Sequence, residues 1–549
     1  MSRLEINVYD SLRRIYLDEK PDCPELKRAS CPRGDVFNCQ LSLILKDAVE
    51  GERLRAYPSV NSEIKDFIKI FRIGNVPSEM PGYSQNDGYF ERMAPGLFPD
   101  PLFSLDKNGI YGKEGLFYGM WVQIPTEKIN PGNYTIEISF ENDKKEYLGK
   151  TSFELEILEI KLPKPKLKYT QWFHPDCLVS YYEVEAFSEK HWEIIDNFIK
   201  TAAENGVNTL LTPLFTLPLD TVVGGERPTT QLVYVKKDGG KYSFGFDKLA
   251  RWISLARKRG IKYFEFSHFF TQWGAEATPK IVADIKGKEK PIFGWDTSAS
   301  GKKYERFLAQ FIPELERFIE KNKLGKSVYF HVSDEPNDKL TESYAKASKL
   351  LRKYLNPKYK IIDALSDYEF FKNGLIDTPI PSIDHYEPFE KAKIKERWAY
   401  YCCSQNKLVS NRFFSMPQAR NRIIGFQIYK YGLSGFLHWG YNFWYTQYSL
   451  SSIDPYMTTD AGGIFPSGDA FSVYPGKDGH AVPSTRLFVF KEALSDLAAL
   501  QALEKRIGRD KTLHLLEKDL EQPLTFKTYP RDPDWILQKR DEINRELNK

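Results

Sequence analysis

Ser327-Val-Tyr-Phe-His-Val-Ser-Asp-Glu-Pro-Asn337 is the stretch on which the reading of this chain turns. Its first six residues form a strand-like run, and Asp334 and Glu335 follow where that strand stops. Pro336 stands directly behind them and forbids easy continuation of a ladder. Two carboxylates crowded at a strand end suit cleavage of a glycosidic bond: one must stay protonated while another charge stabilises the developing cation. The plain alternative is a solvated acidic turn that opens a helix. The rest of the chain decides between them.

Outward from this stretch the pattern alternates between strand and helix. Strands are expected at 167–174, 208–215, 261–268, 327–332, 359–365, 380–386, 408–414 and 435–441. Amphipathic helices are expected at 188–205, 246–260, 304–322, 343–355 and 416–431. Eight such strands over about 335 residues fit a (β/α)8 TIM-type barrel at 167–500. A Gly-Gly hairpin at 233–246 decorates the loop after the second strand. Before the barrel the runs at 4–9, 36–44, 64–73, 119–124, 134–140 and 151–160 are short and separated by turn residues, which predicts an N-terminal β-sandwich over 1–160. Residues 161–168, rich in Lys and Pro, read as a stiff linker. Residues 501–549 read as a C-terminal helical tail, broken at Pro530 and Pro533 and packed on the outside of the barrel. The fold class is therefore multidomain, α and β.

Bulk composition narrows the function. Net charge is only +4 from 78 basic and 74 acidic residues, with no basic block, so nucleic acid is not an expected partner. No run of eighteen apolar residues occurs, and Met1-Ser-Arg-Leu-Glu-Ile-Asn-Val lacks a signal-type core, so the chain reads as cytoplasmic and soluble, with no membrane partner. Six cysteines do not make a disulfide framework, and their spacing is not that of a zinc site. Cys402 and Cys403 fall within a helical pattern. No Gly-x-Gly-x-x-Gly, Walker loop or His-Glu-x-x-His is present, and neither cofactor nor metal is expected. The aromatic share of 14% is high and favours a sugar site.

Barrel chemistry sits at the C-terminal ends of the strands. There the sequence places His174 after the first strand, Arg227 on the loop after the second, and His268, Trp273 and Trp295 after the third. Tyr386 follows the sixth, and Trp439, Asn442 and Trp444 the eighth. These nine are the candidate substrate-binding residues, because a sugar needs aromatic platforms and dense hydrogen bonding. A small-molecule or oligosaccharide substrate is the expected partner. Each residue alone is equally explained as barrel packing or as a satisfied core donor.

The expected seventh strand, Leu408-Val-Ser-Asn-Arg-Phe-Phe-Ser, carries no Asp or Glu. A conventional retaining glycosidase pairs the acid/base with a carboxylate nucleophile about 5–5.5 Å away, and Asp384 or Asp367 would then have to supply it. The adjacent Asp334-Glu335 pair instead suits a substrate that brings its own nucleophile, a 2-acetamido oxygen attacking the anomeric carbon. A charged Asp334 would raise the pKa of Glu335 and keep it an acid. A catalytically silent carbohydrate-binding barrel is the third possibility.

Phe330-His-Val-Ser-Asp-Glu-Pro, Gly435-Phe-Leu-His-Trp-Gly-Tyr-Asn-Phe-Trp and Val473-Tyr-Pro-Gly before Ser484-Thr-Arg-Leu together resemble glycoside hydrolase family 123, with a C-terminal region similar to domain of unknown function 4091. The resemblance implies retaining, substrate-assisted removal of a terminal β-linked N-acetylgalactosamine. It also implies catalytic roles for Asp334, orienting the acetamide, and for Glu335, the general acid/base.

Overall fold

The computed structural model describes residues 3–46, 50–105 and 109–549; residues 1–2, 47–49 and 106–108 of the expected first domain lie outside it. Two five-stranded sheets come first. One runs Leu4–Asp10, Val36–Leu45, Tyr118–Pro125, Lys69–Ser78, Gly96–Ser104 in spatial order. The other runs Arg28–Arg33, Tyr147–Lys161, Gly132–Glu141, Arg53–Asn61, Ile110–Lys113. Alternating side chains from both sheets, among them Ile6, Val8 and Leu41 from the first and Ile136, Ile138 and Phe140 from the second, share one apolar core. The run expected at 64–73 divides into a turn at Lys65–Phe67 and a strand from Lys69.

The second part is a mostly closed ring of eight parallel strands. They are β1 (Lys168–Gln171), β2 (Thr209–Thr212), β3 (Tyr263–Phe266), β4 (Val328–Phe330), β5 (Lys360–Ala364), β6 (Thr378–Ile380), β7 (Trp398–Tyr400) and β8 (Gly435–His438). Their spatial order is β6-β5-β4-β3-β2-β1-β8-β7. The two edge strands meet through the Tyr400 amide, which donates to the Pro381 carbonyl at 3.0 Å. Helices cover the outside. Glu189–Glu204 begins at Ser188, whose hydroxyl accepts from the His191 amide, and it buries Trp192, Ile195, Phe198, Ile199 and Ala202 at helical spacing. Each such fully buried large apolar side chain contributes about 1.5–3 kcal/mol.

Three expectations are corrected. The seventh strand is Trp398–Tyr400, not 408–414. Residues 409–414 are buried without joining the ring, and the Arg412 guanidinium lies across the barrel mouth, bonding Gln171 Oε1, His438 Nδ1 and the Gly440 carbonyl. The sixth strand ends at Ile380, and Ile383–His385 is a turn. Cys402 and Cys403 sit in the turn after β7 rather than in a helix, and all six cysteines are free thiols.

The decorating hairpin forms as Tyr234–Asp238 and Lys241–Gly245, and Ile281–Ile285 and Lys288–Phe293 extend it into a four-stranded sheet. The tail holds two helices, Arg509–Glu517 and Pro533–Asn548, with Pro530 in the break between them. Pro533 opens the second, as befits a residue with no amide hydrogen to leave unsatisfied. That helix bridges the two parts of the molecule: Arg540 reaches Asp35 at 2.6 Å on the N-terminal side and Asp496 at 2.7 Å on the barrel side. Among the described residues no helix is long and apolar enough to cross a membrane.

Candidate active site

The two consecutive carboxylates emerge just past the end of β4. On a regular strand neighbours point to opposite faces. The alternation stops here because Glu335 adopts a left-handed backbone, φ +43°, a conformation that costs a non-glycine residue roughly 1–3 kcal/mol. Three hydrogen bonds hold the turn. Ser333 Oγ donates to the Thr271 carbonyl at 2.8 Å, the Trp273 amide donates to the Asp334 carbonyl at 2.9 Å, and the Glu335 amide donates to the Ala364 carbonyl at 3.0 Å. The loop after β3 and the last residue of β5 thus grip the pair from either side.

The carboxyls meet different surroundings. Glu335 Oε1 accepts from the Tyr400 hydroxyl at 2.5 Å, at the tip of β7. Burial raises the Glu335 pKa, the Tyr400 bond lowers it, and the charge of Asp384 raises it; the balance is upward. Asp334 is held well above the usual carboxylate range by burial and by the charge of Glu335, with Asp363 and Asp220 adding to the effect and His331 opposing it. The repulsion expected to fall on Glu335 thus falls chiefly on Asp334. Two such groups share protons as a unit.

Beneath them lies a polar layer. His331 Nδ1 stands 3.1 Å from Asp363 Oδ1, and its Nε2 stands 3.1 Å from Glu265 Oε2. With a carboxylate oxygen at both nitrogens the ring is an imidazolium. Burial opposes that charge, but Asp363 and Glu265 outweigh it and lift the pKa to about 9. Trp172 Nε1 donates to Glu265 at 3.0 Å, and the Tyr344 hydroxyl donates to Asp363 at 2.6 Å. His268 lies 4.4 Å from the His331 ring, and neither of its nitrogens has a hydrogen-bond partner. Burial and the neighbouring imidazolium keep it neutral. His268, His331 and Asp363 offer ligand-type atoms within 4.8 Å of one another, a grouping that could take a metal ion only if the His331 imidazolium gave up a ring proton.

The other expected residues fall into three groups. Trp273, Trp439 and Trp295 stand at the mouth. Trp273 is exposed and meets Tyr448 edge-on at 5.6 Å; Trp439 donates from its indole to Asp469 Oδ2 at 2.9 Å; Trp295 donates to the Gly225 carbonyl at 3.2 Å. His174, Arg227 and Asn442 are buried and committed to one another. Arg227 grips Asp176 through two bonds of 2.6 and 2.9 Å, and also binds His174 Nδ1 and the Leu219 carbonyl. Asn442 bonds the His174 amide and carbonyl. These three brace the rim and have little left to offer a ligand. Trp444 and Tyr386 do not reach the site. Trp444 packs on Tyr181 and Phe198, while Tyr386 packs on Tyr431 and Phe526 outside the ring.

Sequence reasoning missed Tyr400 and Asp469. Tyr400 was hidden by the misplaced seventh strand. Asp469 is fully buried beside Trp439 and His438, and burial pushes it up to about 7. Asp220, pushed up by burial to about 6, takes the Tyr448 amide at 3.1 Å.

An eight-stranded parallel ring, with paired carboxylates of raised pKa at the end of its fourth strand and aromatic walls, is the architecture of a glycosidase. Residues 172–503 match the family description "Glycoside hydrolase 123, catalytic domain", and the chain belongs to glycoside hydrolase family 123. The fold matches that of a family 123 glycoside hydrolase from Clostridium perfringens, whose structure was determined to detail glycolipid glycan hydrolysis; the TM-score is 0.76 at 16% identity, covering 100% of this chain and 98% of that one. A putative beta-galactosidase from Bacteroides fragilis is similar at a TM-score of 0.33 and 11% identity over 87% of this chain and 60% of that one. An endo-beta-1,4-mannanase from Thermotoga petrophila is similar at 0.34 and 12% over 62% and 77%. No curated protein matches the sequence.

Proposed function

We propose that this glycosidase removes a terminal β-linked 2-acetamido-2-deoxyhexose, N-acetylgalactosamine foremost, with retention and with the substrate's acetamide as nucleophile. The observation that carries the reading is the pairing at Glu335. The residue that β7 aims at it is the hydroxyl of Tyr400, where a conventional retaining enzyme would often place a carboxylate. Asp334 is then free to accept the acetamide N–H through its carboxylate.

In the first step the acetamide oxygen attacks C1 while the bond from C1 to the leaving oxygen breaks, and Glu335 gives that oxygen its proton. Asp334 stabilises the oxazolinium cation. Glu335 then takes a proton from water as the water oxygen attacks C1, and the oxazolinium opens to product. Acetamide binding at Asp334 favours its anion and leaves the pair's proton on Glu335. On the same reading the two N-terminal sheets are a β-sandwich domain over 1–160, attached to a catalytic barrel over 167–500 and a tail over 501–549.

Turnover of 4-nitrophenyl 2-acetamido-2-deoxy-β-D-galactoside tests this. Glu335→Gln is expected to lose about 10²–10⁴-fold in kcat/KM. Asp334→Asn is expected to fall comparably, and a thiazoline mimic of the oxazoline to inhibit the wild type. A second reading has one observation behind it, the charge of Asp384 bearing on Glu335. If Asp384 is a conventional nucleophile, 2-hydroxy hexosides are cleaved, the thiazoline is ignored, and azide rescues Asp384→Ala with inverted product.

A further inference from the structure

Strain and exposed apolar surface concentrate on one side of the barrel mouth. Thirteen described non-glycine residues have positive φ; six of them are Glu335 and, around it, Asp220, Trp273, Ala275, Tyr448 and Ser449. Thirteen large apolar side chains are exposed among the described residues, and five of them lie on these same loops. Val222 is 37% exposed, Val223 78%, Trp273 42%, Tyr448 37% and Leu450 68%. Backbone strain persists where the surroundings over-determine it, and it clusters at ligand clamps. A contiguous apolar patch on a water-facing rim marks a binding surface.

The patch is built rather than incidental. The Val222 amide donates to the Tyr448 carbonyl at 3.0 Å, which ties the loop after β2 to the loop after β8. Asp220 secures the same seam, with its Oδ2 accepting from the Tyr448 amide and its carbonyl accepting from Ser449 Oγ at 2.6 Å. Trp273 joins through its edge-on contact with Tyr448. Its own amide holds the Asp334 carbonyl, so the indole is anchored to the catalytic turn itself. The patch therefore borders the turn that carries Asp334 and Glu335.

We infer that this rim is an aglycone subsite for a leaving group with an apolar alkyl or aryl body. This rests on the glycosidase reading above and deepens it. A sugar in that position would call for aromatic platforms flanked by hydrogen-bonding side chains. Three of the five side chains are instead aliphatic, and polar groups beside them are engaged within the rim: Asp220 Oδ2 by the Tyr448 amide, Ser449 Oγ by the Asp220 carbonyl, Thr221 Oγ1 by the Leu219 carbonyl and Gln272 Nε2 by the Thr221 carbonyl.

The test compares octyl, 4-nitrophenyl and methyl 2-acetamido-2-deoxy-β-D-galactosides in aqueous solution below the micelle concentration. KM for the octyl glycoside is expected about tenfold or more below that of the methyl glycoside, since burial of two or three methylenes suffices for that ratio. Trp273→Ser and, separately, the milder Leu450→Ser are expected to shrink the octyl-to-methyl ratio of kcat/KM, with circular dichroism reporting the fold. Equal KM values for octyl and methyl, or a ratio untouched by both variants, would overturn the inference. So would wild-type binding to phosphatidylcholine vesicles that carry no glycoside, coupled with an unchanged ratio, which would make the rim a membrane contact. Failure of the sugar assignment looks different. The acetamido series is then inert while the corresponding 2-hydroxy glycosides turn over, and the same ratio is read on them.

Discussion

Tyr400 sits where the competing mechanisms part. Its hydroxyl stabilises the ionised form of Glu335, so Tyr400→Phe raises the Glu335 pKa. The acid form then persists to higher pH, and the alkaline limb of the kcat/KM profile moves upward. At neutral pH kcat/KM is expected to fall about tenfold, the worth of one hydrogen bond to a charged group. A pH–rate profile of the variant checks both, and an unmoved alkaline limb would detach Tyr400 from the acid. His331 works on the other carboxyl. An imidazolium locked between Glu265 and Asp363 is a fixed positive charge near Asp334; against burial and the charge of Glu335 it favours the anion that the proposed acetamide-assisted step calls for.

At the scale of elements, β7 and β8 meet under a steric constraint. A Cβ at Gly435 would fall 2.0 Å from the Trp398 ring, so only glycine lets the two strands pair at Trp398 and Gly435. Gly435→Ala is expected to destabilise by about 1–3 kcal/mol, as overpacking does, read as a lower urea midpoint. The same strands show what the sequence revealed and what it hid. The elements β1 to β5 and β8 are short, three to five residues each, but they were legible because apolar runs bounded by turn residues or by amphipathic helices mark them. The strands β6 and β7 lack such flanks: only short turns and one-turn helices surround their three residues each. The stretch 408–414 looked more like a strand than Trp398–Tyr400 does, because it is apolar for a different reason: it is folded inward over the ring with Arg412. The lack of a carboxylate holds for the true seventh strand as well, since Tyr400-Tyr401-Cys402-Cys403 carries none. In the N-terminal part Arg28–Arg33, Arg53–Asn61, Gly96–Ser104 and Ile110–Lys113 were not anticipated, being polar or interrupted by proline and glycine. At the site, Asp334 and Glu335 were legible from a local signature. His174, Arg227 and Asn442 lie at the barrel's rim, and no sequence pattern reveals that they are occupied with one another.

Across the whole molecule a chain of buried charges ties the N-terminal sheets to the barrel. Asp35, Arg540, Asp496, Arg422 and Glu492 run in sequence, and Glu492 also accepts from Ser11 Oγ at 2.7 Å and Asn38 Nδ2 at 2.8 Å. Burial pushes Glu492 up to about 7 against the pull of Arg422, and Asp469 is also at about 7. A carboxyl whose pKa is raised by folding binds its proton more tightly in the folded state. Its contribution is complete below the unfolded value of about 4 and is lost as pH rises through the folded one. His331, lifted to about 9, behaves alike over a higher window, from about 6.5 upward. At the base of the ring Glu396 runs the other way. Burial would raise it, but hydrogen bonds from Lys168, Lys360 and Trp398 bring it down to about 2, and its contribution disappears as pH falls through that value. The buried histidines His174, His191, His268 and His438, which burial holds below their ordinary value, act in the opposite sense and cost stability as pH falls below about 6.5. Thermal stability is therefore expected to decline from about pH 7 towards pH 9, where the histidines no longer oppose the carboxyls and His331. A set of calorimetric melts across that range checks it, and a Tm that rises from about pH 7 to 9 would contradict the assigned proton positions.

Whether the substrate supplies the nucleophile, leaving Asp334 and Glu335 to divide the remaining work, is decided by one series of substrates. The measurement is kcat/KM for 4-nitrophenyl 2-deoxy-β-D-galactosides whose 2-acetamido group carries zero, one, two or three fluorines. Fluorine withdraws electrons from the amide oxygen without changing the leaving group. Participation predicts a steep fall, about a hundredfold or more across the series, because the weakened oxygen is the attacking atom. A rate independent of fluorine content would rule participation out and return the nucleophile to the protein.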